Sequence, residues 1–456
     1  MPLVVNFSMC LIRRQNHGGH LPCIRSYRYR GILGLLALSP LIVTASCANR
    51  DKTTSDLTRR EVESAQSVSD KNQTPAIAGA AIPIVAVRDL VINPTEPGWE
   101  LTNVSQIIGR DDGGIYALDP YDQNVRVFGP NGELVRRLGR KGSGPGEFTN
   151  AVGMSFVHDS LFVFESSNNR VTTFANNGGA PETRTVLLNP PGGGHLRSRT
   201  ESGFLFSIDG SDELGNSSNG SAGLVKSSAY VSTNDHGAKI SLLLAGITTA
   251  PLLRYDIGVE HVKNSKYGKV VSVQPLIQTS KTDVYPDGSG LLLATVQSNG
   301  GLGGSSIKLV RINLHGDSMW SRSLPVATFP VTDRQMGQLV DYLAAADMFK
   351  GVAYAGDKQM IADSLRREKF WPPLRDIRIA RDNSIWITLG GPPWEAVRYW
   401  RLSSTGVFQS IVELPARFRL LWADSDHVWG TRTTENFELT IERYRLPSKD
   451  ADQGRP

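Results

Sequence analysis

One pattern recurs along the first half of the chain at a fixed distance of 46 residues. Ile115-Tyr116 is followed at this distance by Leu161-Phe162, and the turn pair Asn131-Gly132 by Asn177-Gly178. The stretch 113–148, which holds the first copy, reads as three short strands, two tight turns and a glycine-rich exit. A fixed spacing across several markers indicates one supersecondary unit used more than once. Units of about 40 to 50 residues with four strands each are typical of β-propeller blades.

Six such units can be placed along the chain. Each has the same signal for a middle strand, an acidic or glycine turn followed by alternating apolar residues, at Ile115-Tyr116, Leu161-Phe162, Phe204-Leu205, Leu291-Leu292, Ile385-Trp386 and Val428-Trp429. Three gaps between the signals are one blade long, and two, of 87 and 94 residues, are about double. We therefore predict an all-β fold, a six-bladed β-propeller over 83–447. Seven blades are the alternative, because a double gap has room for another blade.

The second double gap contains a predicted helical insertion at 331–370. Thr332 and Gln335 have the spacing of a capping box, and the apolar residues from Met336 onward follow the helical period. A second amphipathic segment follows before Trp371, so we expect a helical hairpin between two blades, partly capping the central channel.

The two ends of the propeller are predicted to meet. The last unit stops one strand short, whereas 84–92, IVAVRDLVI, stands alone before the first unit begins. Pairing this N-terminal strand with the last blade would close the ring and remove an exposed sheet edge.

The front of the chain has the parts of a signal peptide at 1–46. An arginine-bearing lead is followed by an apolar run at 31–45, which is too short to span a bilayer comfortably as a helix. The run ends in Thr44-Ala45-Ser46-Cys47, which resembles a bacterial lipoprotein box, although Thr44 stands where Leu or Val is usual. The resemblance implies lipidation of Cys47 and a membrane anchor in the cell envelope, in the outer membrane or the periplasm. Plain secretion and an uncleaved anchor are the alternatives.

The segments that flank the propeller are predicted to lack structure. Residues 47–82 are polar and then small, as in a flexible tether, and 448–456 form a short polar tail that we expect to be disordered. The cysteines Cys10, Cys23 and Cys47 all precede the propeller. No disulfide framework or thiolate metal site is therefore expected in the folded body.

The net positive charge of the chain comes entirely from residues 1–46. Of 49 Lys and Arg residues, five arginines lie in 1–46, where there is no acidic residue, so the remainder has 44 against 44 Asp and Glu. A groove that follows nucleic-acid phosphates needs a net basic face. We expect no nucleic-acid partner.

The second unit is similar to an NHL-type repeat. The matching residues are Asn169, Arg170, Val171, Phe174 and Gly178, which follow the GSGPGEF exit of the first unit. The resemblance covers about 80 residues closely, and Thr149-Asn150 replaces the proline usual after that exit. It implies a six-bladed propeller of the kind found in exported bacterial proteins. It fixes no activity, because fold does not determine function.

The long connections are predicted to share one face of the propeller, because alternate connections of an antiparallel blade lie on the same side. They fall at 119–124, 139–148, 209–226, 296–306, 389–396, 431–437 and the helical insertion. Functional residues are often carried by elaborated loops on a rigid scaffold. We therefore expect the binding surface on this face.

Polar and aromatic residues on these loops are the candidate binding residues. Asp119 and Glu165 are equivalent at 46 residues apart, and either Ca²⁺ binding or structural hydrogen bonds would explain them. The candidates are Asp119, Asp122, Arg140, Lys141, Glu147, Glu165, Asn168, Asn169, Trp394 and Glu395. Arg140 and Lys141 suit an anion, and Trp394 would stack on a sugar or a peptide.

No catalytic constellation emerges from these patterns. The histidines of the body are scattered, with four in predicted hairpin turns, which argues against a histidine metal site. We predict a cell-envelope binding or scaffold module for a protein, peptide or glycan, without a cofactor unless the carboxylates hold Ca²⁺. The alternative is a metal-dependent hydrolase or lyase with a divalent cation in the central channel, as in gluconolactonase-like propellers.

Overall fold

The structure is a computed structural model. It describes residues 82–93, 101, 103–166, 170–176, 178–185, 194–201, 203–209, 213–215, 223–234, 239–256, 269–273, 280–298, 305–345, 362, 365, 369–434 and 438–447. These residues belong to one compact unit, Arg59–Pro456. The predicted signal peptide, Cys47, nearly all of the tether, Asn168, Asn169 and the tail lie outside the described residues. Within the described part, no helix is long and apolar enough to cross a membrane.

The 46-residue repeat corresponds to one blade. Two short strands, β1 (Ile84–Val85) and β2 (Val87–Ile92), precede the first full blade. Blade I consists of β3 (Gln106–Gly109), β4 (Ile115–Asp119), β5 (Asn124–Phe128) and β6 (Leu134–Leu138). Blade II consists of β7 (Ala151–Val157), β8 (Ser160–Glu165), β9 (Arg170–Ala175) and β10 (Glu182–Thr185). Consecutive strands pair antiparallel in both blades, as predicted.

Blade III is enlarged, which accounts for the first double gap without a seventh blade. It consists of β11 (Gly194–Arg199), β12 (Gly203–Asp209), β13 (Glu213–Gly215), β14 (Gly223–Asn234), β15 (Lys239–Asp256) and β16 (Lys269–Val273). The strands β14 and β15 pair along most of their length, and β16 pairs with the C-terminal end of β15. The prediction of a loop over 209–226 is wrong in part, because β13 and the start of β14 pair within it.

The remaining three blades follow the same antiparallel order. Blade IV consists of β17 (Lys281–Val284), β18 (Gly290–Ser298), β19 (Ser305–Asn313) and β20 (Ser318–Val326). After a two-stranded ribbon of β21 (Phe329–Pro330) and β22 (Phe370–Trp371), blade V consists of β23 (Leu374–Ile379), β24 (Ile385–Leu389), β25 (Val397–Leu402) and β26 (Phe408–Leu414). Blade VI consists of β27 (Phe418–Ala423), β28 (His427–Thr433) and β29 (Leu439–Arg445).

The N-terminal segment closes the ring, as predicted. Strand β2 pairs antiparallel with β29 and supplies the outermost strand of blade VI. The short β1 adds to blade V, where it pairs parallel with β26. The chain therefore covers the outer edges of both its last two blades, which leaves fewer unpaired backbone groups for another chain to pair with.

The helix α1 (Asp333–Ala345) begins at the predicted capping box. The backbone N–H of Gln335 donates to Thr332 Oγ1 at 3.2 Å, and the backbone N–H of Thr332 donates to Gln335 Oε1 at 3.2 Å. These two bonds satisfy backbone donors that a helix N-terminus leaves open. Of the second predicted helical segment, only Ala362 and Leu365 are described, and both are helical.

The innermost strands of the blades form the wall of a central channel. Contacts join β3 with β7, β7 with β11, β17 with β23, β23 with β27, and β27 with β3. Between blades III and IV, Leu205 packs with Leu291 and Ile312. Side chains also bond across blades: Gln106 Oε1 accepts from the backbone N–H of Met154 at 2.8 Å, and Ser155 Oγ accepts from that of Arg199 at 3.0 Å. Side-chain hydrogen bonds thus join blades I to II and II to III, and apolar packing joins III to IV.

Candidate functional site: the long-loop face and the central channel

The strand order places the connections on two opposite faces. The plain face carries the short turns that follow the first and third strands of each blade, at 110–114, 129–133, 158–159, 285–289, 313–317, 380–384, 403–407 and 424–426. The long-loop face carries the connections after the second strand and those between blades, of which the described residues include 120–123, 139–150, 327–345, 369–373, 390–396 and 415–417. The described part of the insertion lies on the long-loop face, and every described candidate residue lies there or at the strand ends that lead into it.

Asp119 is buried at the end of β4 and holds the loop around it. Its carboxylate accepts hydrogen bonds from the backbone N–H groups of Asn103, Tyr121 and Asp122 at 3.3, 3.1 and 3.2 Å. These bonds join the entry of blade I to the connection between its second and third strands. These hydrogen bonds to the backbone explain why an acidic residue stands at position 119.

Glu165 does the same for blade II. Its carboxylate accepts from the backbone N–H of Thr149 at 2.7 Å and from the Arg170 guanidinium at 3.1 Å on each oxygen. Burial alone would raise the pKa of Glu165, but the hydrogen bonds from Arg170 and Thr149 outweigh it and hold that pKa below its usual value. Thr149 follows Asn103 in sequence by the same 46 residues by which Glu165 follows Asp119. The bond between the acidic residue and this backbone N–H is therefore repeated in both blades.

Asp122 is also engaged within its own blade. It forms an ion pair with Arg126 at 2.5 Å, and the Arg126 side chain is only 3% exposed. The neighbouring Gln123 accepts from the backbone N–H of Ala151 at 2.8 Å, which ties the loop of blade I to the first strand of blade II. The loop 120–123 is thus fixed at both ends.

The loop 139–148 is held in a compact form over blade II. Glu147 accepts from the backbone N–H of Gly144 at 2.9 Å and pairs with Arg140 at 2.8 Å. The Gly144 bond, with the Arg140 bond second, lowers the pKa of Glu147. Arg170 donates from below to the backbone oxygens of Ser143 and Glu147 at 2.7 and 3.1 Å. Lys141 stays exposed, opposite Phe148 in a backbone bridge.

Trp394 belongs to a small core that fixes the insertion to blade V. Leu339 and Val340 of α1 are buried there with Leu365 and Trp371. The Trp394 ring lies 6.4 Å from that of Trp371 and 6.3 Å from that of Tyr342. Trp394 and Tyr342 remain partly exposed, and Glu395 beside Trp394 is exposed. The candidate residues therefore fall into separate groups, with Trp394 and Glu395 on blade V and the others on blades I and II.

The central channel presents a second group, which the sequence reasoning missed. A cavity of about 570 Å³ is lined by the innermost strands, and its polar lining includes Gln106, Arg197, Asp283, Arg378 and Arg419. Asp283 Oδ2 accepts from the backbone N–H of Ile379 at 2.7 Å, and Asp283 Oδ1 lies 3.4 Å from the Arg378 guanidinium. Burial raises the pKa of Asp283, and the nearby Arg378 offsets only part of this effect.

A cluster of metal ligands is absent from the part of the chain that the structure describes. No three His, Cys, Asp or Glu side chains lie close enough together there to share an ion. Asp119 and Glu165 each direct their oxygens to N–H donors of their own blade.

The fold defines the chain as a six-bladed β-propeller. The sequence model of the DUF5128 family, described as a 6-bladed beta-propeller, matches residues 94–185, which cover blades I and II. No curated protein matches the chain.

Solved structures of similar fold include a protein of Bacteroides fragilis NCTC 9343, at 12% identity and a TM-score of 0.42, with 82% of this chain and 98% of that chain covered. A member of the DUF4221 family from Bacteroides vulgatus ATCC 8482 has 9% identity and a TM-score of 0.41, with 81% and 97% covered. The calcium-binding protein regucalcin from Agrobacterium tumefaciens C58 has 10% identity and a TM-score of 0.38, with 80% and 98% covered. No activity follows for this chain from likeness at this distance.

Proposed function

We propose that this propeller is a binding module of the bacterial cell envelope, which recognises a protein, peptide or glycan with its long-loop face. The observation that carries the proposal is the insertion of blade V, which is fixed by its own core and leaves aromatic side chains partly open on that face. Elaboration of one face over a regular ring is common where loops supply the binding residues.

The described part of the insertion is anchored to the ring at both ends. Its two ends are joined by the pairing of Phe329 with Trp371 and of Pro330 with Phe370. The indole N–H of Trp371 lies 3.4 Å from Gln335 Oε1, at the capping box of α1. Side chains on the anchored helix α1 therefore lose little conformational entropy when they bind a ligand.

The open surface formed by α1 and the neighbouring connections of blades V and VI combines aromatic rings with a cation. The Arg417 guanidinium lies over the Tyr342 ring at 5.7 Å from its centre, and the neighbouring Trp394 is partly exposed. Aromatic and arginine side chains are enriched at protein interfaces, and aromatic rings stack on sugars and peptides. This composition suits a protein, peptide or glycan.

The proposed location in the cell envelope is supported by the N-terminal residues 1–47. The arginine-bearing lead, the apolar run at 31–45 and Cys47 support export and anchoring through a lipid on Cys47. The described propeller contains no cysteine, as suits a compartment in which free thiols are oxidised.

Binding arrays test this function. The purified chain would be applied to glycan and peptide arrays, together with Trp394→Ala and a matched control, Val407→Ala, which alters an exposed residue of the same blade on the plain face. We expect the array ligands of the wild type to be retained by Val407→Ala and weakened by at least about tenfold in Trp394→Ala. Equal binding by both variants would contradict the assignment of the face.

A further inference from the structure

The central channel has the size of a small-molecule site. The cavity of about 570 Å³ is surrounded by residues of all six blades, from β3, β7, β11, β17, β23 and β27. Sites for small organic ligands are concave and usually enclose roughly 300 to 1,000 Å³. The charged side chains that line this cavity then decide the charge of the ligand that it can bind.

Cations predominate on one side of this wall. Lys281 on β17, Arg375 and Arg378 on β23 and Arg419 on β27 lie on three consecutive inner strands, and Arg378 and Arg419 line the cavity directly. The carboxylates among them are Asp283 and Asp376, which lie 3.4 and 3.7 Å from the Arg378 guanidinium. Four positive groups thus face two negative ones.

Three of the four cations form no ion pair with a residue that the structure describes. Among the described residues, no hydrogen bond or ion pair is made by the side chains of Lys281, Arg375 or Arg419. Burial lowers the pKa of Lys281, against the attraction of Asp376. Burial also lowers the pKa of Arg419, and repulsion by Arg378 and Arg375 adds to it, although part of the residue is exposed. The mutual repulsion of cations gathered in this way is electrostatically unfavourable, and an anion among them would relieve it.

The charges are separated along the channel. Each inner strand runs from the long-loop face to the plain face, so Lys281, Arg375 and Arg419, which begin their strands, lie at the long-loop mouth. Asp111 and Asp287 lie in turns at the plain mouth, where Asp111 pairs with Arg381. A potential that is positive at one mouth draws an anion in from that side.

We propose that the channel binds a small organic dianion through Lys281, Arg378 and Arg419, with entry from the long-loop face. Guanidinium groups match the oxygens of a phosphate ester or a carboxylate with paired hydrogen bonds, and the lysine adds a point charge. The neutral remainder of the ligand would lie against Val152, Met154 and Leu421, the apolar lining of the other inner strands. This site is separate from the aromatic surface of the insertion.

The test compares charged and neutral probes on the full chain. Glucose 6-phosphate, succinate, inorganic phosphate and neutral glucose would each be titrated at up to about 10 mM, with the melting temperature and the heat of binding as readouts. We expect glucose 6-phosphate or succinate to raise the melting temperature and glucose to leave it unchanged. Comparison of glucose 6-phosphate with succinate distinguishes a phosphate ester from a dicarboxylate. A rise in melting temperature with inorganic phosphate alone would contradict an organic ligand.

Variants locate the effect. Arg419→Gln removes one of the cations that line the cavity, and we expect it to weaken dianion binding by at least about tenfold while raising the melting temperature of the ligand-free protein. Arg137→Gln, the same charge change on the exposed outer strand β6, is the matched control and should bind as the wild type does. Trp394→Ala should also bind the dianion normally, which separates this site from the proposed macromolecular surface. No response to either organic dianion, or equal losses in Arg419→Gln and Arg137→Gln, would overturn the proposal.

Discussion

The carboxylate of Asp283 in blade IV accepts a hydrogen bond from the backbone N–H of Ile379 in blade V at 2.7 Å. Gln106 makes the equivalent bond from blade I to blade II, and Ser155 makes it from blade II to blade III. A different polar side chain thus serves the same purpose at three blade interfaces. Half of the six blade interfaces thus have a side-chain acceptor on the inner wall that binds a backbone N–H of the next blade.

Loss of this acceptor should loosen one interface. We predict that Asp283→Ala lowers the free energy of unfolding by about 1 to 3 kcal/mol, because the N–H of Ile379 is left without its acceptor. Asp283→Asn, which keeps a carbonyl oxygen at this position, should cost less. Urea unfolding followed by tryptophan fluorescence would measure both, with Asp287→Ala in the exposed turn as the control. Equal losses in the three variants would contradict this role.

Glu165 is predicted to be a stabilising group of blade II. Its side chain is 2% exposed and paired with Arg170, so Glu165→Gln should lower the free energy of unfolding by about 3 kcal/mol. Glu182→Gln, on the exposed outer strand of the same blade, is the matched control and should change it little.

The same pair predicts a dependence on pH. Because the folded pKa of Glu165 lies below its usual 4.5, its contribution is present above pH 4.5 and is lost as the pH falls through the lower folded value. The free energy of unfolding of the wild type should therefore decrease more steeply below pH 4.5 than that of Glu165→Gln. Parallel pH profiles for the two proteins would count against this assignment.

Closure of the ring by the N-terminal strand can be tested with a disulfide. Val87 and Arg445 are directly opposite in the pairing of β2 with β29, and both side chains are exposed. In the double variant Val87→Cys, Arg445→Cys, we expect a disulfide to form and to raise the melting temperature, because it restricts a very long loop in the unfolded chain. Reduction should reverse the gain. Two thiols that stay free under oxidising conditions would contradict the register.

Calcium is predicted to have no effect on the folded protein. The carboxylates of Asp119 and Glu165 already accept several hydrogen bonds, so neither is directed at a shared ion. Addition of Ca²⁺, or of EDTA, should leave the melting temperature unchanged. A rise with Ca²⁺ that disappears in Asp119→Asn would favour the alternative of a metal site on the long-loop face.

The repeated parts of the fold could be predicted because their signals are local. The spacing from Ile115 to Leu161 gave the blade length, and the capping pair Thr332 and Gln335 gave the start of α1. Gly132 adopts a φ of 85° in the predicted Asn131-Gly132 turn, next to Leu90 and Ile92 of the closing strand. Each of these features depends on residues a few positions apart.

The channel could not be predicted because its residues are brought together only by closure of the ring. Lys281, Arg378 and Arg419 are far apart in sequence, and each sits in an ordinary alternating strand. For Asp119 and Glu165, the sequence left structural hydrogen bonds and Ca²⁺ binding open, since their backbone partners carry no side-chain signal. The parallel pairing of β1 with β26 of blade V was not predicted, because these strands also meet only when the ring closes.

The binding role of the long-loop face is tested most directly by removing the insertion. Pro330 and Phe370 are opposite one another in the β21–β22 ribbon, so residues 331–369 can be replaced by an Asn-Gly turn that keeps both strands paired. We predict that this variant retains the β-type circular dichroism of the ring and loses binding to the array ligands of the wild type. Full binding by the shortened, folded protein would contradict the account.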